Sequence, residues 1–171
     1  MTSTTFNAGI TAIIGDADSE LPSTRRVLER YPDGKGTWKP HAKSRSIGQL
    51  AAHVAALPAL GTWIITTDNL EASTRPPLPE LDKASDLVAF FDARTEDLRD
   101  AIAKADDSIL DRTWTLSAGG RAFINMPKRE ALRIVFLNHL IHHRAQLGVY
   151  YRLLDVPVPI LYGPTADEGF G

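Results

Sequence analysis

The sequence predicts an all-α protein, a four-helix bundle formed as a single domain over residues 1–171. Its length suits one domain, because domains commonly run to about 100 to 150 residues and a chain of this size can bury a substantial core. Four segments repeat apolar residues every three or four positions, which places those residues on one face of a helix. Prolines and glycines interrupt the pattern between the segments, where the chain is expected to turn.

The first two predicted helices cover residues 6–31 and 47–69. The apolar face of the first begins at Phe6, and the second follows Ser46, a residue type that favours the N-cap position. Pro58 lies inside the second segment, where it removes a backbone donor and crowds the preceding turn. We therefore expect a kink or local bulge just after His53.

The third and fourth predicted helices cover residues 83–105 and 127–154. Proline-rich residues 71–82 predict a stiff connection into the third helix. Between the last two helices, two short apolar runs flank the segment SAGG, which predicts a short hairpin over residues 113–124. After the fourth helix, the prolines and glycines of residues 156–171 predict an irregular tail.

Composition limits the kinds of partner and chemistry. Acidic and basic residues are interspersed and leave a net charge of -2, so neither nucleic acid nor an anionic membrane is an expected partner. The sequence shows neither an unbroken apolar run of ~18 residues nor the pattern of a signal peptide, so we expect a cytoplasmic protein. The chain contains no cysteine, which leaves imidazole and carboxylate groups as metal ligands or bases.

Three histidines lie on predicted apolar helix faces. His139 and His143 are four residues apart, so their side chains emerge one turn apart on the same face. His53 lies on the core face of the second helix, and helices of a bundle bring such residues together. Three neutral imidazole nitrogens suit one divalent transition metal ion, Zn, Ni or Fe, and leave a coordination position open.

Spacing alone leaves a second interpretation open, in which these are core histidines that bond backbone carbonyls or one another. His41 and His142 are rival ligands, predicted to lie in a loop and on another helix face. Gln146 could orient metal-bound water or make an ordinary buried hydrogen bond. Arg144 could contact an anionic substrate, although an acidic neighbour is the favoured interpretation.

Other residues are assigned ordinary roles. Trp63, Phe90 and Phe91 are interpreted as packing residues or dimer contacts rather than as pocket walls. Asp167 and Glu168 could supply a carboxylate to the site, but solvated tail charges are the expected interpretation. The sequence alone identifies no catalytic base.

Several motifs together resemble the DinB-like family over nearly the whole chain. They are TRRVLER at residues 24–30 with Pro32, WKPH at 38–41, QLAAH at 49–53, HLIHHRAQL at 139–147 and LYGPTADE at 161–168. The resemblance implies up-down-down-up topology, homodimers, and a metal held by His53, His139 and His143. Ala145 and Thr165 stand where similar sequences often have glycine and serine, and neither is a proposed ligand.

The resemblance also sets the functional expectation, because related families include metal-dependent transferases that use low-molecular-weight thiols and a thiol-dependent isomerase. We expect a thiol S-transferase or hydrolase that activates a thiol or water for attack on a small-molecule substrate. With no cysteine in the chain, any thiol comes from solution. The alternative is a non-catalytic, dimeric, stress-associated protein that binds a metal or other ligand.

Overall fold

Four helices form most of the computed structural model, which describes residues 8–169. The first three are α1 (Ala8–Glu29), α2 (Ile47–Thr66) and α3 (Ala84–Lys104). The fourth, α4, begins as an α-helix at Lys128–Ala131, passes through a π-helical segment at Leu132–Asn138 and continues as an α-helix at His139–Leu153. Phe6, where the first helix was predicted to begin, lies outside the described residues.

The helix α2 begins with a capping box. The backbone N–H of Gln49 donates to the Ser46 hydroxyl over 3.2 Å, and the backbone N–H of Ser46 donates to the Gln49 side chain over 3.0 Å. This satisfies two amides at the helix start and confirms Ser46 as the N-cap. Of the kink or bulge predicted just after His53, the bulge is not found, since α2 is α-helical without interruption through Pro58 to Thr66. The irregular helical geometry lies in α4 instead.

A three-stranded sheet accompanies the helices, so the purely α-helical prediction is corrected to a mostly helical fold with a small sheet. Strand β1 (Asn69–Glu71) pairs in parallel with β2 (Thr113–Ala118), which pairs antiparallel with β3 (Arg121–Pro127). The predicted hairpin is therefore present and longer than expected. Strand β1 was missed because three residues carry no usable alternation of polar and apolar side chains.

Glu71 fastens the hairpin turn to β1. Its carboxylate accepts hydrogen bonds from the Ser117 hydroxyl at 2.9 Å and from the backbone N–H groups of Gly119 at 2.9 Å and Gly120 at 3.2 Å. Both glycines have positive φ, 58° and 77°, a conformation that glycine adopts without strain. The hydrogen bond from Ser73 is the largest cause, followed by that from Ser117, of the lowering of the pKa of Glu71 to about 2, so its carboxylate is ionised at neutral pH.

Residue pairs that join the helices give their relative directions. In the pairs that join α1 to α3, and in those that join α2 to α4, the residue number rises in one helix as it falls in the other, so these helices are antiparallel. In the pairs that join α1 to α4 both numbers rise together, so these two helices are parallel. The joining pairs are Asp18 with Arg99, Arg25 with Asp92, Glu20 with Arg144, Val27 with Tyr151, His53 with His139 and Ile65 with Lys128. Thus α1 and α4 run in one direction, and α2 and α3 run in the other.

The helix α2 lies at the centre of this arrangement. A Cβ atom added to Gly61 would meet Leu98 of α3 at 3.0 Å and Phe136 of α4 at 3.2 Å, so the glycine permits close packing on both sides. Among the described helices, α2 alone is long and apolar enough to cross a membrane by length and composition. Because 72% of its most apolar window is buried, it has the character of the core helix of a soluble protein.

A buried lysine joins the C-terminal end of α2 to the start of α4. The Lys128 side chain is 1% exposed, and its Nζ donates to the Ile65 carbonyl over 3.1 Å. The same atom lies 3.1 Å from a carboxylate oxygen of Asp68. A carbonyl in the last turn of α2 thereby gains a charged donor, which fixes that end of α2 against α4.

The tail after α4 is irregular, as predicted, but its acidic residues are not simply solvated. The Asp167 carboxylate accepts from Arg152 and from the backbone N–H of Val158, while the Glu168 carboxylate accepts from Arg30 and from the backbone N–H of Ile160. These contacts hold the tail against α1 and α4. Both carboxylates are therefore paired, although Asp167 is exposed to solvent as expected.

Candidate metal centre

The structure brings His53 of α2 together with His139 and His143 of α4. The Nε2 atoms of His53 and His139 are 3.2 Å apart, and one potential ligand nitrogen from each of the three rings lies within 4.8 Å of the others. The ring centroids are separated by 4.6 to 5.0 Å. His139 and His143 on α4 thus lie at the same level of the bundle as His53 on the core face of α2.

The spacing of the nitrogens is compatible with a shared metal ion. Two nitrogens that each lie about 2.0 to 2.1 Å from a tetrahedral zinc ion are about 3.3 Å apart. The 3.2 Å between the Nε2 atoms of His53 and His139 is close to that separation. The His53–His139 pair therefore fits a divalent metal ion, and a nitrogen of His143 lies within 4.8 Å of both.

Hydrogen bonds at Nδ1 orient two of the rings. The Nδ1 atom of His139 lies 3.2 Å from the Val135 carbonyl, and that of His143 lies 2.7 Å from the side-chain carbonyl of Gln146. A carbonyl oxygen only accepts, so each Nδ1 carries the proton and each Nε2 keeps a free lone pair, which in His139 faces Nε2 of His53. Metal-binding histidines in proteins are commonly held in this way.

The π-helical segment of α4 ends directly before His139. The backbone N–H of His139 donates to the Phe136 carbonyl rather than to the Val135 carbonyl four residues back, as it would in a regular α-helix. The Val135 carbonyl instead accepts from the His139 ring. Single-turn π segments occur frequently at functional sites, and here the irregular backbone helps set the orientation of a candidate ligand.

The surroundings keep the three imidazoles neutral. Burial, followed by the positive charge of Arg45 and the neighbouring histidines, lowers the pKa of His53 to about 3. Burial is also the largest cause of the lowered pKa values of His139 and His143. Neutral rings are the form that binds metal, so the site is ready for a cation at neutral pH.

No carboxylate belongs to the cluster in the part of the chain that the structure describes. The permanently charged groups that lower the pKa values of these rings are Arg45 and Arg75, and the neighbouring imidazoles disfavour protonation of one another. A divalent ion bound by three neutral rings would keep its full positive charge. This arrangement favours an anionic ligand over a neutral one at any open position.

The rival histidines lie outside the cluster. His142 is exposed, with its ring centroid 4.8 Å from that of His143. His41 is also exposed, and its Nδ1 accepts from the backbone N–H of Lys43 over 3.1 Å. Gln146 was expected either to orient metal-bound water or to make an ordinary buried hydrogen bond. It makes a hydrogen bond, to His143, but its side chain is exposed rather than buried.

Arg144 makes structural contacts. Its guanidinium pairs with the Glu20 carboxylate at 2.6 Å and donates to the Thr24 hydroxyl at 3.2 Å and to the Tyr162 hydroxyl at 2.6 Å. The favoured interpretation, an acidic neighbour, is therefore confirmed. The contacts join α4 to α1 and to the tail.

A pocket of about 250 Å³ adjoins the cluster and was not expected from the sequence. His53 and His139 form part of its wall, so it reaches two of the three candidate ligands. Trp63 and Phe90 also line the pocket, whereas Phe91 is buried in the core. The remaining lining residues are Ala56, Leu57, Ala59, Leu60, Arg75, Pro76, Pro77, Leu78, Pro79 and Arg94. The interpretation that excluded Trp63 and Phe90 from a pocket is therefore wrong.

We expect Gln146→Ala to weaken metal binding by about tenfold, the lower end of the range for groups that orient a metal ligand. The change removes the acceptor that fixes His143 Nδ1, and the exposed position of Gln146 leaves the fold intact. Zinc affinity measured by competition with a chelating dye tests this. Gln146→Glu, which retains an acceptor, is the matched control and should bind zinc at least as well as the native protein. Equal affinities for native protein and Gln146→Ala would contradict the assigned orientation role.

Comparisons with known proteins agree on one family. A model described as the DinB family matches residues 18–169. A DinB-like protein from Bacillus subtilis is 23% identical with a TM-score of 0.68, over 88% of this chain and 96% of that one. A DinB-like protein from Bacillus cereus ATCC 10987 is 19% identical with a TM-score of 0.65, over 88% and 95%. No curated protein matches the sequence.

Proposed function

Because the chain belongs to the DinB family, we propose that His53, His139 and His143 hold one divalent transition metal ion, Zn, Ni or Fe, in a metal-dependent enzyme. The enzyme is a thiol S-transferase or a hydrolase that acts on a small molecule. The observation that carries this proposal is the convergence of three imidazole nitrogens within 4.8 Å of one another. The Nδ1 contacts of His139 and His143 support it, because they leave the Nε2 lone pairs of both rings free for a metal ion.

A divalent ion at such a site is a Lewis acid that stabilises the anionic form of a thiol or of water at neutral pH. The chain supports this chemistry by supplying three neutral ligands and no neutralising carboxylate among the described residues of the cluster. Arg45 and Arg75 add positive charge nearby. The thiol is a low-molecular-weight compound from solution, since the chain contains no cysteine.

The adjoining pocket supports a small-molecule substrate. Its volume of about 250 Å³ lies just below the range of roughly 300–1,000 Å³ that is common for drug-sized ligands. A compact electrophile in this pocket would lie against His53 and His139. Trp63 and Phe90 would cover its apolar surface and exclude water from that side.

Metal content and thiol-dependent turnover test the proposal together. Protein purified with zinc supplementation should retain about one ion per chain by elemental analysis, and it should accelerate the reaction of 1-chloro-2,4-dinitrobenzene with cysteine or glutathione or hydrolyse activated esters. Metal-free protein is the control. Failure to retain any of the three metals after separate supplementation would overturn the metal site. Stoichiometric metal with no turnover would favour the non-catalytic alternative.

The alternative is a dimeric, stress-associated protein that binds a metal or other ligand without turnover. Exposed apolar residues Ile134, Val149 and Leu153 on α4 support the proposed homodimer, because a second copy could cover them. Light scattering would test the dimer independently of the metal. A coordination sphere with no exchangeable position would favour this alternative, and an exchangeable position would favour the enzyme.

A further inference from the structure

Arg75 is a cation at the pocket without an acidic partner. It directly follows the short 3-10 helix Ala72–Thr74, and its guanidinium carbon lies 5.8 Å from the centroid of the Trp63 ring. Within residues 8–169, its side chain makes neither an ion pair nor a hydrogen bond. Arg75 is half-buried, and the five N–H donors of its guanidinium have no hydrogen-bond partner among these residues.

The second arginine of the pocket differs in this respect. The guanidinium carbon of Arg94 lies 5.5 Å from the centroid of the Phe90 ring, and its Nε atom is 3.3 Å from a carboxylate oxygen of Asp97, an ion pair without hydrogen-bond geometry. The charge of Arg94 therefore already has a partner on α3. Of the two lining cations, Arg75 is the one available to an anionic ligand.

The rest of the pocket indicates what that ligand resembles. Its walls are mostly apolar, and Pro76, Pro77 and Pro79 stiffen the segment that carries Arg75. A ligand that fits must be compact and largely apolar. The one unpaired guanidinium suits a singly charged, planar carboxylate, because its parallel N–H donors match the two oxygens.

We propose that Arg75 is a specificity-determining residue that binds a carboxylate, so that the preferred ligand is a small apolar carboxylic acid. The placement of the reacting part of the ligand beside His53 and His139 rests on the proposed function. The preference for a carboxylate is independent of the proposed function, because the unpaired Arg75, the apolar walls and the pocket volume do not depend on a bound metal.

Calorimetric titration of the full-length protein tests this inference with 4-phenylbutyrate and its uncharged analogue 4-phenylbutyramide. The native protein should bind the carboxylate about tenfold more tightly than the amide, the difference expected from one charge-assisted hydrogen-bonded contact. Titrations are made on metal-free protein, in which no metal competes for the carboxylate, and repeated with zinc. Arg75→Gln should remove the preference while the affinity for the amide and the zinc content stay the same.

Two matched variants complete the design. Arg75→Lys keeps the charge and should retain part of the preference, whereas Arg94→Gln, which removes a charge already paired with Asp97, should retain most of it. The inference is overturned if the metal-free native protein binds both probes equally or neither at millimolar concentration, or if folded Arg75→Gln keeps the preference. Folding of each variant is checked by circular dichroism. A native protein that retains none of zinc, nickel and iron but keeps the carboxylate preference would refute the proposed function alone.

Discussion

We expect the His143→Ala protein to lose its bound metal and any thiol-transfer or hydrolytic activity while it remains folded. The change removes one of three candidate ligands, so the affinity for zinc should fall by more than the roughly 10–100-fold that loss of an orienting group costs. The fold should persist because α4 is held by buried neighbours of His143, including Leu140, Leu147 and Tyr151. Elemental analysis, far-ultraviolet circular dichroism and turnover with added thiols measure the three quantities.

His142→Ala is the control for this experiment. The two histidines are adjacent in sequence, but His142 is exposed and lies outside the cluster. Its replacement should leave both metal content and turnover close to those of the native protein. Native-like turnover by metal-free His143→Ala protein would refute the mechanism, and equal loss of metal in both variants would refute the ligand assignment.

Replacing Arg144 with methionine should destabilise the fold by about 3–5 kcal/mol, the usual result of removing one partner of a buried ion pair. The Arg144 side chain is 1% exposed and its partner Glu20 is 12% exposed, so the variant leaves a carboxylate in a poorly solvated position. The hydroxyl of Thr24 also loses a donor. The free energy of unfolding, obtained from urea denaturation, provides the measurement.

Arg133→Met is the matched control, because Arg133 also joins α4 to an acidic residue of α1. Its pair with Asp16 is exposed, with 51% and 42% of the side-chain surfaces accessible, so its loss should cost less than about 1 kcal/mol. Similar losses for both variants would contradict the importance assigned to burial. Glu20→Leu combined with Arg144→Met should recover part of the stability, because no buried charge is then left unpaired.

The sequence predicted the candidate site better than it predicted the surroundings of that site. Helical periodicity placed His53, His139 and His143 on core faces, and helices packed along their apolar faces bring such residues together. The wall formed by Trp63 and Phe90 was not predicted, because it depends on how the 71–82 connection lies across α2 and α3. Periodicity describes each helix separately and contains no information about the path of a connecting segment.

The remaining differences have a similar cause. Strand β1 is three residues long and depends on β2, which lies more than 40 residues away, and on the carboxylate of Glu71. The π-helical segment before His139 contains Phe136, which closely approaches Gly61 of α2. Local sequence patterns do not report interactions between distant parts of the chain. They therefore predicted neither feature.

The hydrogen bond between Lys128 and the Ile65 carbonyl fixes α2 and α4 to each other at one end of the bundle, so the position of each candidate ligand depends on its residue count from that bond. Along α2 the segment from Ile65 back to His53 spans about 18 Å at the α-helical rise, and along α4 the segment from Lys128 to His139 includes the π-helical turn Leu132–Asn138. Deleting one residue from either segment would move its histidine by about 1.5 Å and rotate it by about 100°. The two helical segments must therefore keep their residue counts for the histidines to meet, a constraint that does not apply to the connections outside them.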